Sequence, residues 1–249
     1  MIQDLYTSGE YLKKNPTWHL GESPWKAREI LRMIARNKID AETICEVGCG
    51  AGEILRILQE NMKSECVFWG YEISPQAFEL CKSKANEKLH FKLLDITQES
   101  NVYFDLILLM DVLEHMEDYF NFLREIKQKS TYKIIQLPMD ISVRSVLCGN
   151  LISYRSTYGH IHYFTKEVAL QMFRDLGFEV IDYFYTADSV TLTEVEVQEI
   201  KRNPRKRLRK LLGRIKRGIL YSPDKLLFAI HQDLFVRIMG RRRLLILVK

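Results

Sequence analysis

The chain has 249 residues and a mass of 29.4 kDa, and its 47% hydrophobic and 28% charged residues exclude collagen-like, mucin-like and wholly disordered proteins. The longest apolar runs have five residues, whereas a bilayer-spanning helix needs about 20, so no membrane span is predicted. The N-terminal residues lack the pattern of a secretory signal, and the five cysteines include no Cys-x-x-Cys pair. We therefore expect a cytoplasmic protein with reduced thiols and no zinc site.

Predicted strands and helices alternate along the chain. Short apolar runs predict strands, and apolar residues at helical spacing predict helices between them. The predicted strands span 43–47, 66–72, 89–94, 104–110, 132–137, 178–185 and 244–248, and the predicted helices span 24–34, 53–60, 75–85, 118–127 and 166–176. This alternation indicates an α/β fold with a doubly wound parallel sheet, which binds ligands beyond the carboxyl ends of its strands.

Residues 140–163 and 194–240 fall outside this alternation, and residues 1–40 precede its first strand. Trp18 and Trp25 precede the first strand, so we predict an N-terminal helical lid over residues 1–40; the alternative is that these rings merely cover the first helix. Because the final apolar run 244–248 returns to the sheet, residues 194–240 form a predicted insertion. The remaining residues, 41–193 plus 241–249, form the predicted ligand-binding domain.

The predicted insertion is strongly basic. From residue 201 onward the chain has 16 Lys and Arg residues against 2 Asp and Glu residues, a net charge of +14, which leaves −9 for the first 200 residues. Residues 201–217 contain ten of these cations, and Leu208, Leu211, Leu212 and Ile215 lie on one stripe of a helix. This pattern is typical of two arrangements, of which one is peripheral contact with an anionic membrane, at its inner face, through 201–217. Packing of the stripe on the acidic body or in a homodimer is the alternative, and nucleic-acid binding is disfavoured.

A glycine loop follows the first predicted strand, with Glu46 before it and glycines at positions 48, 50 and 52. Glycines permit a tight turn and close ligand approach, and the next helix offers unpaired N–H groups at its N-terminus. The spacing departs from the dinucleotide pattern G-x-G-x-x-G, and Glu46 would repel a pyrophosphate. Glu72, at the end of the second strand, can accept both hydroxyls of a ribose, and Asp95, at the end of the third, can meet an adenine amino group. The set predicts a nucleoside site that tolerates a cationic ligand.

The glycine loop, Glu72, Asp95 and segment 104–115, which ends in Asp-Val-Leu-Glu-His, resemble the class I S-adenosylmethionine-dependent methyltransferases, in the branch of the ubiquinone O-methyltransferases. The resemblance covers residues 40–186 and the final strand. It implies a seven-stranded Rossmann-like sheet whose last strand is antiparallel, which fits the isolated run 244–248 that follows the predicted basic helical insertion. It also implies S-adenosylmethionine as the cofactor. The residues implied to contact it are Glu46, Gly48, Cys49, Gly50, Gly52, Glu72, Ile73, Asp95, Ile96 and Met110.

Methyl transfer to a hydroxyl requires a group that accepts the hydroxyl proton. Asp111, Glu114 and His115 fall at i, i+3 and i+4, so they share one face of a helical turn. His115 is a candidate base, the three together are an alternative metal site, and a structural role of His115 is the third possibility. His160 and His162 alternate beyond the fifth strand, and one of them is a candidate base or acceptor contact. The candidate catalytic residues are His115, Asp111 and His162.

We therefore predict O-methylation of a small-molecule, saccharide or lipid-linked hydroxyl. One alternative is N-methylation, which needs no base when the amine arrives neutral. Another is a non-catalytic protein that binds the cofactor and docks on an anionic surface through its basic insertion. Methylases of nucleic-acid bases often carry N/D-P-P-Y/F after the fourth strand, where this chain has Met-Asp-Val-Leu-Glu-His, so base methylation is disfavoured.

Overall fold

A central seven-stranded sheet lies between two layers of helices. The computed structural model describes Gly9, Trp18, residues 20–187, Phe228 and residues 230–249. The strands are β1 (Thr43–Val47), β2 (Val67–Glu72), β3 (Leu89–Leu93), β4 (Phe104–Met110), β5 (Ser130–Pro138), β6 (Val180–Ala187) and β7 (Arg242–Val248). The α-helices of the described residues are α1 (Ser23–Asn37), α2 (Glu53–Asn61), α3 (Pro75–Cys81), α4 (Tyr119–Lys127), α5 (Val143–Leu147), α6 (Asn150–Tyr158), α7 (Lys166–Asp175) and α8 (Gln232–Met239).

The order of the strands in the sheet is β3-β2-β1-β4-β5-β7-β6, and β7 is antiparallel to both β5 and β6. The predicted α/β sheet of seven strands with an antiparallel last strand is therefore confirmed. Because β7 runs the other way, it begins at the edge where the parallel strands end. Arg243, near the start of β7, pairs with Pro138 at the end of β5. The residues that precede β7 consequently lie at the ligand-binding edge.

The core has one apolar cluster on each face of the sheet. On one face, α4, α7 and α8 contribute buried side chains such as Phe122, Phe173 and Phe235. On the other face, α1 and α2 contribute side chains such as Ile30 and Leu55. Full burial of a side chain of this size stabilises the fold by about 1.5–3 kcal/mol. The doubly wound arrangement thus follows from helices that present apolar stripes to both faces.

Helix α1 lies within the predicted lid 1–40, but its apolar side packs into the core against the sheet. Residue 40 therefore does not mark a break in packing. Trp18 borders the glycine loop, with its ring carbon Cε3 4.0 Å from the point where a Cβ on Gly50 would stand. Residues 1–8, 10–17 and 19 of the predicted lid lie outside the described residues.

The sequence pattern predicts no element between β5 and α7, but the structure has α5 and α6 there. No residue of α6 is buried. A helix that packs no side on the core needs no apolar stripe, so the sequence pattern does not predict it. Of the predicted insertion 194–240, the structure describes Phe228 and the residues from 230 onward, and α8 packs on the core through Phe235 and Val236. The basic run 201–217 lies outside the described residues. None of the described helices is long and apolar enough to cross a membrane.

Candidate active site

A cavity of about 820 Å³ opens at the edge where the parallel strands end. One part, here called the cofactor half, is lined by the glycine loop after β1, by Glu72 at the end of β2 and by Asp95 after β3. The other part, here called the acceptor half, is lined by Asp111 after β4, by residues from the segment beyond β5 and by residues that precede and begin β7. Strand ends from across the sheet therefore converge on one chamber.

Glu72 holds the glycine loop in place. Its carboxylate accepts N–H bonds from Gly50 at 2.8 Å, Ile73 at 2.9 Å and Ser74 at 2.8 Å. Burial raises the pKa of Glu72, and the three backbone N–H donors oppose that rise. Gly48 and Gly50 adopt positive φ angles of 69° and 56°. Hydrogen bonds within the chain thus define the shape of the cofactor half.

Most of the residues expected to contact the cofactor line the cavity. Those that do are Glu46, Gly48, Cys49, Gly50, Glu72, Ile73, Asp95 and Met110. Asp95 also begins the short 3₁₀ turn Ile96–Gln98, since its Oδ1 accepts bonds from the backbone and hydroxyl of Thr97, both at 2.9 Å. Asp95 therefore both caps this turn and lines the cavity.

Gly52 and Ile96 are expected cofactor contacts that the structure does not place among the cavity-lining residues. Ile96 is fully buried in the core. Gly52, with a φ of 72°, faces the ring of Phe91, which lies 2.6 Å from the point where a Cβ would stand. Its role here is close packing of the loop against β3, a neighbour that the glycine pattern does not reveal.

The variant Gly52→Ala should lower the free energy of unfolding by about 2–4 kcal/mol, since a methyl group would overlap Phe91 and the backbone would keep an unfavourable positive φ. Gly149→Ala is the matched control, because Gly149 has a φ of 66° with no atom within 4 Å of the added Cβ. The control should lose only about 1–2 kcal/mol. Urea unfolding of both variants measures the difference, and equal losses would contradict the packing role of Gly52.

Glu46 is almost completely buried beneath the loop, and its Oε2 accepts no hydrogen bond from the described residues. Burial raises its pKa to about 8; Lys26 opposes this rise and the charge of Glu72 adds to it. An orphaned carboxyl oxygen at this depth suits a ligand with a cationic amino group. The methionine part of the expected cofactor carries such a group.

Binding of S-adenosylmethionine should therefore release a proton from Glu46. With a pKa of about 8 the carboxyl is mostly protonated at pH 7, and a nearby ammonium favours the carboxylate, which lowers the pKa. We expect release of up to about one proton per cofactor at pH 7. Calorimetric titration in buffers of different ionisation enthalpy measures it, with Glu46→Gln as the control. A binding enthalpy independent of buffer would contradict the assignment.

Asp111 follows β4 in a left-handed conformation with a φ of 61°. Its Oδ2 lies 2.8 Å from Lys26 Nζ and 3.2 Å from Arg243 Nε, and it accepts a bond of 3.0 Å from Gln136 Nε2. Burial alone would raise its pKa, but the cations Lys26 and Arg243 outweigh burial and hold the pKa well below its ordinary value. Asp111 is therefore an ionised anchor that ties α1 and β7 to the end of β4.

Glu114, His115 and His160 form a compact cluster in the acceptor half. Both Glu114 oxygens are buried without a hydrogen-bond partner among the described residues, and burial raises its pKa well above the ordinary value. His115 Nε2 lies 3.9 Å from Glu114 Oε1, and the rings of His115 and His160 lie 5.0 Å apart. Burial and the neighbouring His160 lower the pKa of His115 to about 4, so it is neutral at pH 7.

These three residues, rather than Asp111, Glu114 and His115, have ligand atoms close enough to share a metal ion. One ligand atom from each of Glu114, His115 and His160 lies within 4.8 Å of the others. Asp111 instead faces Lys26 and Arg243. The predicted alternative metal site therefore shifts to a set that contains His160.

Asp140, just after β5, orients His160. The Nδ1 of His160 lies 2.6 Å from Asp140 Oδ2, and both side chains are largely buried. His162, the candidate that the sequence favours, is not among the residues lining the cavity, and its Nε2 lies 2.9 Å from the carbonyl oxygen of Met116. Residues 159–165 do not form a strand, so alternate side chains need not share a face.

The sequence pattern does not predict several of the residues that line the cavity. Arg241, Arg242 and Arg243 line the acceptor half, together with Lys26 from α1 and Asp140. The arginines had a usable signal, because an antiparallel last strand must begin at the ligand-binding edge. The positions of Lys26 and Asp140 depend on packing between distant segments, which has no local signal.

The family comparison agrees with this geometry. Residues 19–183 match the family model described as a methyltransferase domain, which is more than half of the chain. That span begins beside Trp18 and includes β1 to β5 and most of the lining of the cavity. A search of curated proteins finds no match.

Solved structures show the same fold at low sequence identity. A putative methyltransferase of Haloferax volcanii, solved with its Trm112 activator, is 13% identical, with a TM-score of 0.61 over 100% of this chain and 96% of that chain. Magnesium protoporphyrin IX methyltransferase of Synechocystis with bound SAH is 14% identical, with a TM-score of 0.56 over 76% and 92%. N-methyltransferase NodS of Bradyrhizobium japonicum is 13% identical, with a TM-score of 0.52 over 90% and 94%. The chain belongs to the methyltransferase domain family, and it is a class I S-adenosylmethionine-dependent methyltransferase.

Proposed function

We propose that this enzyme methylates a hydroxyl group on a small-molecule, saccharide or lipid-linked acceptor, with His160 as the general base. The observation that carries the proposal is the 2.6 Å contact between His160 and Asp140 in the acceptor half. A carboxylate at Nδ1 fixes the imidazole so that Nδ1 holds the proton and Nε2 is the basic nitrogen. Methylation of a hydroxyl requires a base that removes its proton, and this His–Asp dyad can supply that base. Methylation of a neutral amine requires no such base.

The residues present fit the cofactor. The orphaned Oε2 of Glu46 suits the methionine ammonium, and the glycine loop leaves space beside Glu72 for the ribose. Asp95 and the residues after β3 offer the wall for adenine. Bound S-adenosylmethionine supplies a methyl group on a positively charged sulfur, which becomes a neutral thioether when the methyl group leaves.

The chain's own part in the reaction is to place the hydroxyl and remove its proton. His160 Nε2 accepts that proton as the acceptor oxygen bonds to the methyl carbon, and the Asp140 carboxylate stabilises the resulting imidazolium. His115 is neutral at pH 7, and its ring packs against the ring of His160. The Nδ1 of His115 lies 3.2 Å from the carbonyl oxygen of Gly159. Trp18 lines the chamber beside the glycine loop, where it would help to exclude water from the bound cofactor.

Transfer of labelled methyl groups to paired acceptors tests the proposal. Each pair contains a hydroxyl compound and the analogue in which an amine replaces that hydroxyl, drawn from phenols, aliphatic alcohols, saccharides and lipid-linked alcohols. We expect methyl ethers as products. Products methylated only on nitrogen would identify an N-methyltransferase, and cofactor binding without transfer to any acceptor class would favour the non-catalytic alternative.

A chelator separates the dyad from the metal alternative. Under the dyad mechanism, EDTA leaves the rate of transfer unchanged. Loss of transfer in EDTA and its recovery with Mg²⁺ would assign Glu114, His115 and His160 as ligands and would overturn the role of His160 as base.

A further inference from the structure

Four aliphatic side chains lie exposed on residues 143–158, which hold α5 and α6 and are here called the α5–α6 segment. Leu147 is 81% exposed and Ile152 is 74% exposed, and Val143 and Val146 are each more than half exposed. No residue of α6 is buried, so this helix does not contribute to the core. Aliphatic side chains that cluster on a protein surface mark a site of interaction.

The α5–α6 segment is basic as well as apolar. The sequence has no Asp or Glu from residue 141 to residue 166. Arg144 and Arg155 lie within this stretch, and neither guanidinium group forms an ion pair with a described residue. The surface therefore combines apolar contact area with uncompensated positive charge, which suits an anionic partner.

This surface borders the acceptor half of the cavity. Tyr154 and Tyr158 belong to α6, and both line the chamber. Helix α5 packs against α6 and also against α8, on which Leu234 and Ile238 are exposed. Whatever covers the α5–α6 segment consequently lies close to the chamber that holds His160 and Asp140.

Charge distinguishes the three occupants that such a surface could have. A second copy of the chain, joined through the same face by a two-fold axis, would bring the arginines of both copies together. The basic run 201–217, with ten cations and no acid, would be repelled by the same arginines. Anionic lipid headgroups attract arginines, and aliphatic side chains enter the boundary between headgroups and acyl chains.

We propose that the α5–α6 segment is a docking surface for a membrane of anionic phospholipids. Leu147 and Ile152 enter the boundary between headgroups and acyl chains, while Arg144 and Arg155 lie at the lipid phosphates. Docking in this way places the acceptor half beside the lipid surface. The contact is distinct from the one that the sequence predicts through 201–217, and it does not depend on the proposed O-methylation.

Flotation of the full chain with vesicles tests the docking. The protein should float at low salt with vesicles rich in phosphatidylglycerol and stay unbound with pure phosphatidylcholine, and added salt should weaken the binding. The variant Leu147→Gln/Ile152→Gln should bind the anionic vesicles about 10-fold or more weakly. Arg144→Gln/Arg155→Gln should also lose about 10-fold, because two headgroup contacts are removed.

Leu80→Gln/Val168→Gln is the matched control, since Leu80 on α3 and Val168 on α7 are exposed aliphatic residues outside the α5–α6 segment. It should bind the vesicles as the parent protein does. None of the six substituted residues lines the cavity, so every variant should keep the parent's affinity for S-adenosylhomocysteine. That affinity shows that each variant is folded.

Cys148 gives a direct reading of the contact. It is exposed between α5 and α6, whereas the other four cysteines are buried. An environment-sensitive dye on Cys148 should shift its emission to shorter wavelengths on the anionic vesicles, and lipids that carry a nitroxide should quench it. The same dye in Cys148→Ser/Ser83→Cys should show neither effect, because exposed Ser83 follows α3, which packs against β3 at the other side of the sheet.

Three results would overturn the proposal. The first is failure of the parent protein to float with anionic vesicles at low salt. The second is full flotation of Leu147→Gln/Ile152→Gln together with an unshifted dye on Cys148, which would assign the lipid contact to another part of the chain. The third is a dimer without vesicles that Leu147→Gln/Ile152→Gln dissociates, which would identify a second copy of the chain as the occupant.

Discussion

His160→Gln should lower kcat by about 10²–10⁴-fold and leave the affinity for S-adenosylhomocysteine nearly unchanged. Gln cannot accept the hydroxyl proton, and His160 lies in the acceptor half rather than beside the glycine loop. Asp140→Asn should lower kcat in the same direction, because an amide does not stabilise an imidazolium as a carboxylate does. Steady-state kinetics with the acceptor found by the methyl-transfer screen, together with calorimetry, give both quantities.

His162→Gln is the matched control, since His162 belongs to the same segment but does not line the cavity, and its Nε2 lies 2.9 Å from the Met116 carbonyl oxygen. It should retain kcat within about threefold, as expected of a residue that touches no reacting atom. A large loss in His162→Gln with none in His160→Gln would restore the histidine that the sequence pattern favoured. Equal losses in kcat and in cofactor affinity for His160→Gln would indicate a structural role.

Glu72→Ala should weaken S-adenosylmethionine binding by about 1.5–3 kcal/mol, or roughly 10-fold to 150-fold in Kd. Two effects act together in this variant. The cofactor loses the acceptor for its ribose hydroxyls, and the N–H groups of Gly50, Ile73 and Ser74 lose the carboxylate that fixes the loop. Calorimetric titration measures the loss, and circular dichroism checks that the variant folds.

Glu79→Ala serves as the control for Glu72, because Glu79 is an exposed carboxylate on the nearby helix α3 and pairs with Lys82. It should bind the cofactor as the parent protein does. NADH should not bind either protein measurably, since the glycine loop lacks the dinucleotide spacing. An unchanged Kd in Glu72→Ala would remove Glu72 from the site.

Local patterns in the sequence predict the sheet and the cofactor half well. Apolar runs locate all seven strands, and the isolated run 244–248 is confirmed as the antiparallel β7. Glu72 is the last residue of β2 and Asp95 comes two residues after β3, so the topology brings both to one edge of the sheet. These features depend only on strand order and direction.

The acceptor half depends on contacts that no local pattern encodes. Asp111 reads as a catalytic acid in sequence, yet α1 brings Lys26 against it from 85 residues earlier in the chain. Strand alternation cannot tell which of His160 and His162 faces the cavity, because their segment is not a strand. It follows Gly159, which has a φ of 84°. Helix α6 carries Tyr154 and Tyr158 without a buried stripe, so the pattern of apolar residues does not reveal it.

The most direct test is a crystal structure with sinefungin. In this compound a carbon atom with an amino group replaces the sulfur with its methyl group, so the amine nitrogen marks the position of the methyl group. We predict adenine beside Asp95, ribose at Glu72 and the amine directed into the acceptor half. The amine nitrogen should lie about 6 Å from His160 Nε2, which leaves room for one acceptor oxygen in contact with both. An amine directed away from His160, or a ligand seated elsewhere in the cavity, would contradict the account.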